Sequence, residues 1–97
     1  MAEETIRFFQ PPADSGLLAV AEVTLFPGVS LRGWQVLRRD HEIVVMPPHQ
    51  IYRDPETGDD AVFELLHFRN EQTRKVWLTR VKEEFLKWRK RTEQHGR

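Results

Sequence analysis

The sequence predicts an α+β fold. A single small domain carries an antiparallel sheet of about four to five strands followed by one long C-terminal amphipathic helix. Three observations lead there. Residues Leu18 to Phe26 alternate apolar and polar, the period of a half-buried strand. Ile43, Val44, Val45 and Met46 form a contiguous apolar run bounded by turn residues. Trp77, Leu78, Val81, Phe85 and Trp88 recur at helical spacing in a segment without glycine or proline.

The elements follow in order. Thr5–Phe9 is β-prone and ends at Gln10-Pro11-Pro12, which cannot continue a ladder. Ala13–Gly16 reads as a turn. In the next strand Ala19, Ala21, Val23 and Leu25 share one face, with Glu22 and Thr24 on the other. Pro27-Gly28 marks a turn into Val29–Leu37. Within that strand the large apolar residues switch phase beside Gly33, from Val29 and Leu31 to Trp34 and Val36, which predicts a β-bulge. Arg38–His41 reads as a polar turn. Glu42–Met46 then reads as a central strand covered on both faces. Pro47-Pro48 ends it, His49–Asp60 reads as a polar loop, and Ala61–Phe68 as a short strand or extended segment.

Asn70 is a suitable N-cap, and Glu71 places a negative charge in the first turn, where the helix dipole favours it. The helix is expected over about Glu71–Arg91, roughly 30 Å at 1.5 Å per residue. Val76 and Leu86 lie off its apolar stripe. The whole chain, residues 1–97, reads as one domain with frayed ends at about 1–4 and 92–97.

A chain of 97 residues buries roughly two-thirds of the surface exposed when unfolded. That leaves a thin core, and association into a symmetric homodimer is expected to add burial. With 39% hydrophobic and 31% charged residues, the composition is that of an ordinary globular domain. The absence of cysteine excludes disulfides, thiolate zinc sites and cysteine nucleophiles. Met1–Thr5 lacks the apolar run of a signal peptide, and no stretch approaches the length of a spanning helix, so no membrane association and a cytoplasmic location are expected.

The net charge of zero conceals a polarity. From Arg69 onward there are ten Lys/Arg against four Asp/Glu, while residues 1–68 carry five against eleven. The basic C-terminal segment suits nucleic acid. On a helical wheel Lys75, Lys82 and Arg89 line one flank, and Arg80, Lys87 and Arg91 the other. Such rows neutralise phosphates and release counterions. The same pattern also describes a solvated amphipathic helix, with Glu83 and Glu84 supplying neighbouring ion pairs.

The residues resemble the stage V sporulation protein G (SpoVG) septation-regulator family in three places. Ala19–Leu25 (AVAEVTL) is similar to the family's second strand, and Val44-Val45-Met46-Pro47-Pro48 to its strand-ending Met-Pro-Ser. Glu64-Leu65-Leu66-His67 resembles an acidic-Ile-Ala-His segment; Asn70, Thr73 and Arg74 then match Asn-x-x-Thr-Arg, and Val81, Glu84 and Phe85 match Val-x-x-Glu-aromatic. The resemblance runs from about Ile6 to Trp88. It implies a dimeric α+β protein that regulates by binding DNA or RNA, with no enzymatic activity and no cofactor.

By this resemblance His49, Gln50, Tyr52 and Arg53 occupy the loop where the family reads its target. Arg74, Lys75, Arg80, Lys82, Lys87, Arg89 and Lys90 would contact phosphate from the helix. The family's Lys-Arg pair after Met-Pro-Ser is replaced here by His49-Gln50, Phe68 stands where the family has proline, and Asp54, Glu56, Asp59 and Asp60 make the loop acidic. These departures motivate the alternative of a protein-interaction module of the same fold that has lost nucleic-acid binding, its partner another protein.

The remaining side chains are assigned bland roles. Trp77 and Trp88 belong to the apolar stripe, leaving Tyr52 as the better stacking residue. Among the histidines, His41 and His95 are expected to be exposed and His67 structural; none has metal-ligand spacing, and Asp54–Asp60 lacks the residue order of a calcium loop. No Gly-rich phosphate loop, G-x-S-x-G or H-E-x-x-H is present, so neither a catalytic set nor a metal site is expected.

Overall fold

In the computed structural model, which describes residues 6–95 and side chains from Ile6 to Glu93, four strands form one antiparallel sheet. They are β1 (Ile6–Phe9), β2 (Leu17–Phe26), β3 (Val29–Arg39) and β4 (Glu42–Met46), in the order β1-β2-β3-β4. Two further strands, β5 (His49–Arg53) and β6 (Asp60–Glu64), make a separate two-stranded sheet, and α1 (Glu71–His95) closes the chain. The expected strand start at Thr5, the frayed residues 1–4, Gly96, Arg97 and the His95 side chain lie outside this description. No helix among the described residues is long and apolar enough to cross a membrane.

Local chemistry sets the turns. Pro27 and Gly28, the latter at φ +82°, suit the two central positions of a type II turn between β2 and β3. Between β3 and β4 the pair Arg39–Glu42 brackets Asp40 and His41, both at positive φ (52° and 70°). This is the mirror-image geometry that matches strand twist. The turn is therefore two residues long, and Arg38 and Arg39 belong to β3, not to the polar turn expected from sequence. At Gly33, φ +99°, the register jumps from Ala21–Trp34 to Glu22–Arg32. The expected bulge is there, and it turns Trp34 and Val36 into the core.

One face of the sheet carries α1. Ile6, Ala19, Ala21, Val23, Trp34, Val36 and Val45 are buried against Val81 and Phe85. The small Ala19 and Ala21 leave room for the Trp34 ring and the helix. Phe8, Phe85 and Trp88 gather beside them, with ring centroids 5.7–6.0 Å apart. Leu25 departs from its expected place with Ala19, Ala21 and Val23: a register shift between Thr24 and Phe26 carries it out of phase, and it is exposed.

Several expectations are corrected. Glu42–Met46 is an edge strand and not a central one. Its unbroken apolar run arises because Val45 faces the helix while Val44 and Met46 are half-buried on the other side. His49–Asp60 is not a loop: His49–Arg53 pairs residue for residue with Asp60–Glu64, from His49–Glu64 to Arg53–Asp60. Only Asp54–Asp59 turns, closed by Gly58 N donating to Asp54 O and Asp54 N donating to Asp59 O, both at 2.8 Å. Ala61–Phe68 is thus a strand only as far as Glu64. The helix reaches His95, not Arg91, because nothing before Gly96 breaks it.

Pro47 and Pro48 are buried and anchor the β5–β6 hairpin. The Pro48 ring lies over the Gly33 bulge, its Cβ 3.6 Å from where a Gly33 side chain would begin. Pro48 O accepts a hydrogen bond from Leu65 N at 2.8 Å. Asn70 Oδ1 accepts from Thr73 N at 2.8 Å, the N-cap predicted for α1.

Candidate nucleic-acid interface

The helix that covers the sheet also presents the basic side chains. With Val81 and Phe85 fixed against the sheet, 100° per residue fixes the rest. Lys75, Lys82 and Arg89 fall on one flank of α1, and Arg80, Lys87 and Arg91 on the other. Between them the outer surface carries Gln72, Val76, Thr79, Glu83, Leu86 and Lys90, all exposed. Residues seven apart are separated by about 10 Å along the axis, so each row runs parallel to the helix.

The candidate cations differ in availability. Lys75, Lys82 and Lys90 are exposed and in no ion pair among the described residues. Lys87 lies 3.4 Å from Glu84. Arg80 sits over the Trp77 ring at 5.9 Å and half-buried Arg89 over the Phe85 ring at 5.5 Å. Both lay their stems along the core edge, where ring and guanidinium attract. Arg74 is engaged inward: its Nη2 donates to Glu64 Oε2 at 2.7 Å, and Nη1 lies 3.7 Å from Glu71. It is the tie between helix and hairpin.

The hydrogen bond to Glu64 raises the Arg74 pKa above the ordinary arginine value; burial works against this, and the charges of Glu64 and Glu71 add to it. A cation whose folded pKa is raised lends its full stabilisation below its unfolded value and loses it as pH rises through the folded one. The Arg74 clasp is therefore intact throughout the neutral range.

The hairpin separates the four residues assigned to the family's reading loop. Strand alternation puts His49 and Arg53 on one face and Gln50 and Tyr52 on the other. His49 is half-buried, its Nδ1 2.9 Å from Pro47 O, while Gln50, Tyr52 and Arg53 are exposed. The tip holds Asp54, Glu56, Asp59 and Asp60; Asp54 Oδ1 accepts from Glu56 N at 2.8 Å and Thr57 Oγ1 from Asp59 N at 3.2 Å, so the acidic turn is an ordered one.

Sequence reading overlooked the hairpin's exposed apolar side chains, Ile51, Val62, Phe63 and Leu65. The signal was present: two five-residue runs flank a turn with Pro55 and Gly58. Glu64, the Arg74 partner, carries no local signal in the sequence that pairs it with the helix. His67, expected to be structural, is exposed.

On the sheet face away from α1, a shallow concavity lies among Phe9, Gln10, Pro12, Val20 and Arg32. Arg32, the cation lining it, lies 3.4 Å from Glu22. Among the described residues no cluster of three or more His, Cys, Asp or Glu could hold a metal. The chain matches no family model, no curated protein and no solved structure.

Proposed function

We propose that this protein binds nucleic acid through the phosphate backbone, using the outward surface of α1, and acts as a regulator of the SpoVG type. The supporting observation is the pair of basic rows flanking that surface, with Lys75, Lys82 and Lys90 exposed and in no ion pair among the described residues. A helix with its side chains is about 10–12 Å across, close to the roughly 12 Å major groove of a duplex. Laid along that groove, each flank would meet one phosphate row. Gln72 and Thr79 would face the base edges, and Glu83 would disfavour duplexes that bring phosphate close to the helix midline. Gln50 and Tyr52, on one hairpin face, supply an amide and a stacking ring at the margin.

Fluorescence anisotropy with duplex DNA, single-stranded DNA and RNA, at low and physiological salt, tests this. Micromolar binding that weakens steeply with salt is expected, with a log–log slope of about −0.9 per duplex phosphate neutralised. The double substitution Lys75→Glu with Lys82→Glu should abolish binding and leave the far-ultraviolet spectrum unchanged. Absence of binding at low salt would end the proposal.

The protein-interaction alternative is favoured by the hairpin, where Ile51 is 64% and Phe63 58% exposed. Under that reading the charge-reversed double mutant behaves as the parent does, and a partner depends on hairpin residues.

A further inference from the structure

The β5–β6 hairpin is paired only with itself, an arrangement that is marginal in water and that a third strand would stabilise. We infer that the outer edge of β6 receives an extended segment of another protein as that strand. The segment places an apolar side chain against Val62 and a lysine or arginine at the next position on the same face, against Asp60. The inference rests on the protein-interaction reading, whose partner class it names, and not on binding by α1.

The backbone specifies which groups are free. Pro48–Leu65 and Asp54–Asp59 are hydrogen-bonded across the hairpin. In an antiparallel ladder bonded pairs alternate with unbonded ones. Ala61 and Phe63 therefore bond to Tyr52 and Gln50, while Asp60, Val62 and Glu64 direct their N–H and C=O groups away from β5. Neither proline, lysine nor a bulge guards this edge. An extended main chain laid beside it meets donors and acceptors at the spacing of a ladder, the arrangement of strand addition.

The side chains select the occupant. Asp60, Val62 and Glu64 share one face of β6, an apolar residue between two acids. Val62 is 57% exposed, and Phe63 on the opposite face is also exposed. Asp60 is exposed and in no ion pair among the described residues. Asp54, Glu56 and Asp59 continue the negative charge into the turn. Glu64 already holds Arg74, so the pull on a cation is greatest at the Asp60 end. The β5 edge suits such a segment less, because it carries Arg53 beside the tip and no acid. A second β6 is a poor occupant too: centred on Val62, it would set Asp60 opposite Glu64 twice. The same acids repel phosphate.

The experiment titrates the intact protein with a labelled, end-capped peptide of sequence Lys-Thr-Val-Thr-Lys, read by anisotropy at low and physiological salt. Binding tighter than about 1 mM at low salt is expected, and none by the same peptide with glutamate in place of lysine. In the proposed register the lysine and valine N–H groups face β6 and the threonine N–H groups face away. N-methylation at the lysines and valine should therefore abolish binding, and N-methylation at the threonines should preserve it. Val62→Pro removes an outward N–H and no cross-hairpin bond, and should weaken binding at least about tenfold, near 1.4 kcal/mol. Ile51→Pro, the equivalent change on the β5 edge, should leave it unchanged. Lys75→Glu with Lys82→Glu should also leave peptide binding unchanged, while oligonucleotide titration of that double mutant judges the wider protein-interaction reading separately. Absence of peptide binding at low salt overturns the inference. So does equal binding of the peptide methylated at its lysines and valine, which would reduce the contact to charge attraction. A greater loss from Ile51→Pro than from Val62→Pro overturns it as well.

Discussion

Arg74, from the first turns of α1, donates a 2.7 Å hydrogen bond to Glu64, the last residue of β6. Both side chains are about one-third exposed. The bond joins two parts that otherwise meet little, a helix docked on the four-stranded sheet and a hairpin paired with itself. Glu71 stands 3.7 Å from the same guanidinium and holds it from the helix side.

Glu64→Gln should therefore loosen the hairpin more than the core. A charged, half-exposed hydrogen bond of this kind contributes about 1 kcal/mol. Hydrogen exchange is the suitable measurement: faster exchange at Gln50 and Tyr52, whose amides bond across the hairpin, with unchanged protection at Val23 and Val36 is expected. A uniform increase across both sheets would contradict the clasp.

Arg74 and Lys82 should part company in nucleic-acid titrations. Arg74 already has two carboxylates, whereas Lys82 has no ion pair among the described residues. Lys82→Gln is expected to lower the salt slope by about one contact. Arg74→Gln is expected to leave it unchanged. Equal losses would mean that Arg74 leaves Glu64 to reach phosphate.

Gly33→Ala should destabilise the protein by about 1–3 kcal/mol, through backbone strain and not through crowding. The added Cβ would meet Pro48 at 3.6 Å, ordinary contact, but φ stays at +99°. Chemical denaturation gives the number. A neutral result would show that the bulge relaxes freely.

Phe85→Ala removes a side chain 1% exposed at the centre of the aromatic cluster and should cost about 3–5 kcal/mol. Val76→Ala, 60% exposed on the same helix, should stay within about 0.5 kcal/mol. Thermal melts of the two variants test the orientation of α1 directly. Similar losses would mean that the helix is rotated.

The sequence by itself determined the elements whose signals are local. Alternation in β2 marked Ala19, Ala21 and Val23 as one buried face. The phase switch at Gly33 marked the bulge. Asn70 marked the helix start, and the spacing of Val81 and Phe85 marked the helix face. Each depends on neighbours within a few residues, so composition and period suffice. The helix face in turn fixed where the basic rows lie, and so most of the candidate site was legible too.

Tertiary structure decided what depends on distant partners. The run from Ile43 to Met46 looks central from its composition, yet only strand order makes it an edge. His49–Asp60 looks like a loop because charged and turn residues dominate Arg53–Asp60, and only the pairing of His49–Arg53 with Asp60–Glu64 makes its ends strands. Arg74 looks like any other helix cation until Glu64, ten residues earlier, is brought beside it. In each case the local chain is compatible with more than one environment, and long-range strand pairing and burial select between them.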